Sequence, residues 1–174
     1  MRERLSVLTI RRETVLTLLV LIAIAVAAPI FIKQQLITGT IVNAALIIGT
    51  VVLSTRDGLL IGLLPSSIAL AAGLLSPVLA PLIPFIIVGN AILVLTFAYF
   101  KKLNFWVGVA VAALLKFTFL YGISSVVIGL LVNKTVAPMV AQMMSWPQLF
   151  TALAGGLLAF GYLKLTGKLK IDNC

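Results

Sequence analysis

The chain has 174 residues, of which 62% are hydrophobic and only 10% are charged, and its mean hydropathy is +1.25. Soluble domains are about half apolar and about a quarter charged, so this composition excludes a soluble domain. It predicts a single membrane domain over residues 1–174, with no length left for a soluble enzyme. The net charge of +9 does not indicate nucleic-acid binding, because the basic residues stand singly or in pairs at the ends of apolar runs.

The residue types also restrict the chemistry that the chain can perform. Histidine is absent, the single cysteine is Cys174, and only four residues are acidic. A Ser/His/Asp or Cys/His catalytic set therefore cannot form, and no P-loop, dinucleotide fingerprint or HExxH motif is present. The sequence predicts a protein that is not an enzyme, that needs no cofactor of its own and that has no metal site.

Long apolar runs predict six membrane-spanning helices, since one span needs about 20 apolar residues. The runs cover residues 14–32, 36–54, 59–76, 84–100, 105–131 and 147–165. Turn residues or charges separate them, and none shows the period-two alternation of a membrane strand. The predicted fold class is therefore an all-α integral membrane protein. Residues 1–27 also resemble a cleavable signal peptide, an alternative that the length of the first run disfavours.

Basic residues at the ends of the runs predict the orientation. With an inner N-terminus, most of them fall on the cytoplasmic side: Arg2, Arg4, Arg11, Arg12, Arg56, Lys101, Lys102, Lys164, Lys168 and Lys170. The outer side receives Lys33 and Lys134, and Lys116 lies inside a span. We therefore expect both termini to be cytoplasmic, in a multi-pass protein of a prokaryotic cell membrane.

The predicted outer connections are irregular, whereas the inner ones are short. Pro77, Pro81 and Pro84 interrupt the connection before the fourth span. Residues 135–146 are too short to span and are predicted to lie at the outer interface, where Trp146 is an anchor and Pro147 opens the last helix. This asymmetry predicts that recognition takes place on the outer face.

Polar residues inside spans are costly, so they are candidates for a binding site. Lys116 carries a charge that costs about 2.5–3.5 kcal/mol at the bilayer centre, and no span contains an acidic residue to pair with it. We expect it to contact a ligand. The other candidates in the outer half are Asn43, Asn90, Tyr121, Trp146 and Gln148. Taken singly, each has a simpler interpretation: the asparagines bond neighbouring helices, and the aromatic residues pack or anchor.

Small residues four apart let helices approach each other closely. Ala23 and Ala27 form such a step in the first span, and Gly155 and Ala159 form another in the last. Packing within the chain is the simpler interpretation of either step.

The chain resembles the substrate-binding S components of energy-coupling factor (ECF) vitamin transporters. Besides the six spans and the Ala23-x-x-x-Ala27 step, the similarity lies in three segments: "PFIIVGNAILVLTF" from residue 84, "FWVGVAVAALLKFTFLYG" from residue 105 and "MMSWPQLFTALAGGLLA" from residue 143. Together these features cover most of the chain.

The resemblance implies a subunit that binds a vitamin or similar micronutrient at the outer face and delivers it to a coupling transmembrane subunit with two ATPases, which use the ATP. It implies that Ala23 and Ala27 meet the coupling subunit. It also implies that the substrate lies among the last three helices and the loop "KQQLITG", so that Asn90, Lys116, Tyr121, Trp146 and Gln148 contact it. The missing histidine disfavours a nickel or cobalt substrate, and the missing intramembrane carboxylate disfavours a cationic vitamin. A neutral or anionic molecule, such as a carboxylated vitamin, fits better.

Two other functions compete with this one. An assembly subunit of a larger membrane complex would have no ligand, and its Lys116 would pair with an acidic group of a partner. A self-contained secondary transporter is disfavoured, because the two halves of the chain show no repeat and no span carries an acid for proton coupling.

Overall fold

The computed structural model describes residues 2–32, 34–71, 77–131 and 137–169, with the side chains in these ranges except those of residues 2–11, 69–70, 77–79, 130–131 and 139. This part of the chain is all-helical, as predicted. Its helices are α1 (Arg2–Phe31), α2 (Gln35–Val52), α3 (Thr55–Ala71), a 3-10 helix (Pro77–Leu82), α4 (Ile83–Phe100), α5 (Phe105–Leu131), the short α6 (Ala137–Met143) and α7 (Trp146–Leu165).

Within the described residues, five helical segments are long and apolar enough to cross a membrane: Arg12–Phe31, Gln35–Val52, Ala80–Phe100, Phe105–Gly129 and Val140–Leu165. The chain is therefore a multi-pass membrane protein. The predicted third span, 59–76, is represented by α3, which has 17 residues and contains Pro65. At 1.5 Å per residue α3 covers about 26 Å, less than the roughly 30 Å of a hydrocarbon core. The rest of that predicted span, 72–76, lies outside the described residues.

Helix α2 is the centre of the bundle. It packs against α1, α3 and α4, and most extensively against α7. Its residues 43–50 are all buried, which is consistent with helices on several sides. By contrast, α1 packs against α2 and α3 through Leu21, Ala25 and Ala28, which recur on one helical face.

Local caps explain where the helices begin at the short connections. The backbone N–H of Asp57 donates to Ser54 Oγ at 3.1 Å, and that hydroxyl donates to the Asp57 carboxylate at 2.7 Å. Before α5, Asn104 Oδ1 accepts the backbone N–H of Trp106 at 2.8 Å. Serine and asparagine are preferred at such positions because their oxygens satisfy N–H groups of the first turn. Consecutive long helices consequently run antiparallel with few residues between them.

Basic residues gather at one end of the bundle, which we call the basic end: Arg12, Arg56, Lys101, Lys102, Lys164 and Lys168. A cavity of about 330 Å³ there is lined by residues 13–17 within α1, by the end of α2 and by the residues just after α7, so these parts of the chain share that end. Lys101 Nζ donates to the carbonyl of Thr50 at 2.8 Å, which places the α4–α5 connection beside the end of α2. Lys33, Lys134 and Lys170, which also entered the charge pattern, lie outside the described residues.

The opposite end is built around α6 and the 3-10 helix. Val140 and Met144 are buried against Leu82, Leu120 and Val127, which come from the 3-10 helix and α5. Pro84 stands in the first turn of α4, where its missing N–H removes no intrahelical hydrogen bond. Of the predicted outer segment 135–146, residues 137–143 form α6, and residues 135–136 lie outside the described part.

Candidate functional site

A buried lysine joins the helices near the middle of the bundle. Lys116 of α5 is 3% exposed, and its Nζ donates to Asn43 Oδ1 of α2 at 2.7 Å and to Asn90 Oδ1 of α4 at 2.8 Å. Both bonds run from the amine to an amide oxygen, so the two amides are oriented with their oxygens toward Lys116. These bonds satisfy a donor that burial has removed from water.

The two asparagines extend the network to further helices. Asn43 Nδ2 donates to Thr151 Oγ1 of α7 at 3.3 Å, and that hydroxyl donates to the carbonyl of Gln148 at 3.2 Å. Asn90 Nδ2 donates to the carbonyl of Gly62 in α3 at 3.1 Å. We call Lys116, Asn43, Asn90 and Thr151 the lysine network; all four residues are buried. Hydrogen bonds of this network therefore link five helices: α2, α3, α4, α5 and α7.

The lysine network is closed within the chain. Among the described residues no buried side-chain nitrogen or oxygen lacks a hydrogen-bond partner. The network lines neither the cavity at the basic end nor the groove between α5 and α7 described below. In this conformation Lys116 therefore contacts asparagine amides. This agrees with the simpler interpretation given above, in which Asn43 and Asn90 form hydrogen bonds to neighbouring helices. Its burial also leaves almost no surface for an acidic group of a partner.

Aromatic side chains form a stack that begins at Phe117, the residue after Lys116 in the sequence. Phe117 stacks on Tyr121 with ring centroids 5.5 Å apart and on Trp146 at 5.0 Å, at interplanar angles of 30° and 26°. Tyr121 is 56% exposed and Trp146 is 58% exposed. We call these three residues the aromatic stack. It joins α5 to the start of α7 and presents ring faces outside the core.

Two glutamine amides converge close to the same point. Gln148 Nε2 donates to the carbonyl of Met143 at 2.8 Å, and Gln35 Nε2 donates to the same carbonyl at 3.0 Å. Met143 is the last residue of α6, so these bonds satisfy a carbonyl that the helix leaves open. They tie the start of α2 and the start of α7 to α6, at the end of the bundle opposite the basic residues.

The predicted site residues thus fall into two adjoining groups. Asn43, Asn90 and Lys116 meet in the lysine network, whereas Tyr121 and Trp146 meet through Phe117. Gln148 joins the groups: its carbonyl accepts from Thr151, and its side chain holds α6. The sequence did not single out Thr151, although it is a hydroxyl inside an apolar span one turn after Gln148. Gln35 entered only as part of the predicted loop "KQQLITG", and residues 35–39 of that segment instead form the start of α2.

The basic end has polar groups of its own. Lys101 is half-buried, and its ammonium lies 5.9 Å from the centroid of the Phe97 ring. Burial, and secondarily the neighbouring Lys102 charge, lowers the pKa of Lys101. Its bond to the Thr50 carbonyl caps the C-terminal end of α2, where a cation is favourable. Among the described residues, no group of three histidine, cysteine or acidic side chains lies together to hold a metal ion.

Comparisons with known proteins identify no relative of the chain. No protein-family model matches the chain, and neither a curated protein nor a solved structure is significantly similar to it.

Proposed function

We propose that the chain is a membrane-embedded binding subunit that takes up a small organic micronutrient for an ATP-driven ECF-type uptake complex in a prokaryotic cell membrane. The observation that carries the proposal is the aromatic stack, in which the exposed rings of Tyr121 and Trp146 pack on half-buried Phe117 at the end of the bundle opposite the basic residues. Aromatic faces beside a few fixed polar groups are typical of sites for small organic ligands.

The surroundings of the stack suggest the substrate class. Gln35 and Gln148 lie on the Met143 carbonyl at the same end, and no acidic side chain occurs in the described part of that end. A planar, neutral or anionic molecule would stack on Trp146 and Tyr121 and bond to amides there. The lysine network would form the floor of the site and hold α5 in place; a substrate carboxylate would reach Lys116 only by displacing Asn43 or Asn90 from its ammonium.

The proposed partner surface is the outward face of α1. Ala23 is exposed and Ala27 is half-buried, whereas the face formed by Leu21, Ala25 and Ala28 packs on the bundle. Leu16 and Val20 extend the exposed face by further turns. A flat apolar face of this kind suits close packing against a coupling transmembrane subunit, which would in turn contact two ATPases.

The first experiment is identification of small molecules released from the protein purified alone in mild detergent after expression in bacteria grown in rich medium. We expect one organic compound at about one molecule per chain by mass spectrometry. Trp146→Ala should deplete it. Trp106→Ala makes the same change at the basic end and should retain it. Size-exclusion profiles identical to wild type establish that both variants fold. An empty wild type, or equal occupancy in Trp146→Ala, contradicts the proposal.

A second candidate, an assembly subunit without a ligand, is favoured by the closed lysine network, which needs no ligand to satisfy its polar groups. Under this alternative the extract is empty and the chain is recovered from its native membrane inside a larger complex. Ala23→Trp should then release it from that complex. The two functions therefore predict different extracts, whereas both use the exposed face of α1 as a partner surface.

A further inference from the structure

An apolar groove runs along the outside of the bundle between α5 and α7. It has a volume of about 540 Å³ and is lined by Trp106, Val109, Ala110, Phe150, Leu153, Ala154 and Leu157. Ala110 and Ala154 leave it open because each side chain ends at Cβ. Phe150 to Leu157 spans seven residues, so the groove is about 10 Å long. Its lining includes no residue of the aromatic stack or of the outward face of α1.

The groove leads toward the basic end. Trp106 contacts Phe160 with ring centroids 4.8 Å apart, which marks the end of the groove nearest the start of α5. On α7, Lys164 follows Leu157 by seven residues, which at 100° per residue returns to nearly the same face about 10 Å further on. Lys164 is exposed there, and so is Lys102 in the connection before α5.

The charges at this end are unbalanced. Glu13 and Asp57 are the acidic residues of the basic end whose side chains the structure describes, and neither lines the groove. Glu13 lines the other cavity, and Asp57 accepts the hydroxyl of Ser54. An apolar groove with exposed lysines beyond one end is complementary to a molecule with an apolar chain and an anionic head. Basic pockets between membrane helices bind anionic lipid headgroups in this way.

We propose that the groove between α5 and α7 binds one anionic phospholipid of the leaflet at the basic end. An acyl chain lies between Ala110 and Ala154, and the phosphate headgroup lies against Lys164 and Lys102. The indole of Trp106 stands at the boundary between chain and headgroup, the position that tryptophan favours in membranes. This proposal is independent of whether the chain binds a micronutrient.

The chain itself provides the reporter, since it has two tryptophans. In a Trp146→Phe background, Trp106 is the sole indole, and lipids brominated on their acyl chains quench it on contact. The full chain is reconstituted in phosphatidylcholine vesicles with brominated phosphatidylglycerol or brominated phosphatidylcholine of the same acyl chains. We expect phosphatidylglycerol to quench Trp106 at the lower mole fraction, and the preference to shrink as salt is raised.

Two pairs of variants separate the groove from the headgroup site. Ala154→Phe fills the groove and should abolish the preference, whereas Leu95→Phe, at an exposed position of α4, should keep it. Lys164→Gln should weaken the preference about fivefold, the factor expected for one lysine near anionic lipid. Arg56→Gln removes a charge from the start of α3 and should not weaken it.

Three results would overturn the proposal. The first is equal quenching by the two lipids, and the second is wild-type quenching in Ala154→Phe. The third is a dimeric mass in detergent that Ala154→Phe converts to the monomer, because a second copy of the chain would then occupy the groove. Unchanged size-exclusion profiles ensure that each variant is folded when it is measured.

Discussion

At the scale of single residues, the buried amine of Lys116 is the most informative feature. The sequence places a lysine in an apolar span without an acidic partner, and the structure surrounds it with neutral acceptors. Two amide oxygens accept hydrogen bonds from its Nζ at 2.7 and 2.8 Å. Each amide uses its nitrogen on another helix, so removing the lysine leaves two buried oxygens without a donor. Leaving a buried polar group unsatisfied costs about 1–3 kcal/mol.

Replacement of the lysine by an apolar residue of similar length should therefore destabilise the bundle. We expect Lys116→Met to lower the melting temperature in detergent by about 5 °C, since 1 kcal/mol corresponds to roughly 2–4 °C at this chain length. Lys102→Met, at an exposed position, serves as the control and should change it little. The measurement is thermal unfolding followed by loss of monodisperse protein.

A double-mutant cycle tests the bond itself. Asn43→Leu should cost less in the Lys116→Met background than in the wild type, because one orphaned oxygen is then removed along with its amide. Strictly additive effects would show that Lys116 and Asn43 do not interact, and the lysine network would have to be abandoned.

At the scale of helices, close approach between α7 and α2 depends on Gly155. A Cβ added there would lie 2.7 Å from Asn43 Cβ, 2.9 Å from the backbone nitrogen of Ala44 and 3.0 Å from the carbonyl oxygen of Thr40. Two of these atoms belong to the backbone of α2 and cannot rotate away. The step formed by Gly155 and Ala159 is consequently buried inside the chain, whereas that of Ala23 and Ala27 faces outward.

Gly155→Ala should therefore destabilise the protein even though alanine is the better helix former. Alanine in place of glycine favours a helix by about 1 kcal/mol, and overpacking a tight contact costs about 1–3 kcal/mol. Gly161→Ala is the matched control, since nothing lies within 4 Å of its added Cβ. We expect a lower melting temperature for the first variant and an equal or higher one for the second. Equal shifts in both variants would show that α7 does not approach α2 this closely.

The helices were more predictable from the sequence than the site. Hydropathy indicated the apolar runs, and 105–131 coincides with α5 because Asn104 caps one end and no proline breaks the helix. The beginning of α1 at Arg2 was not predicted, since polar residues within a helix carry no hydropathy signal. Phe117 and Tyr121 are four residues apart and therefore share a flank of α5, where they stack. The contact of Lys116 with Asn43 and Asn90 depends on packing between distant segments, which no local pattern encodes.

At the scale of the whole molecule, the two ends of the bundle differ in chemistry. One end carries lysines and arginines beside short capped connections, and the other carries α6, the 3-10 helix and the aromatic stack. Positive residues near span ends remain on the cytoplasmic side during insertion. The proposed solute site would then lie on the outer side, and the lysine end of the groove between α5 and α7 on the cytoplasmic side, so the orientation of the chain determines which molecules can reach each of them.

The single cysteine makes the orientation measurable without any other sequence change. With both termini cytoplasmic, a membrane-impermeant maleimide should not label Cys174 in intact cells and should label it after the cells are opened. The complementary variant combines Cys174→Ser with Gln142→Cys, an exposed position of α6 at the other end, and should be labelled in intact cells. The reverse pattern would turn the aromatic stack toward the cytoplasm, where it could not capture a solute from outside. That result would leave the fold intact and remove the uptake function.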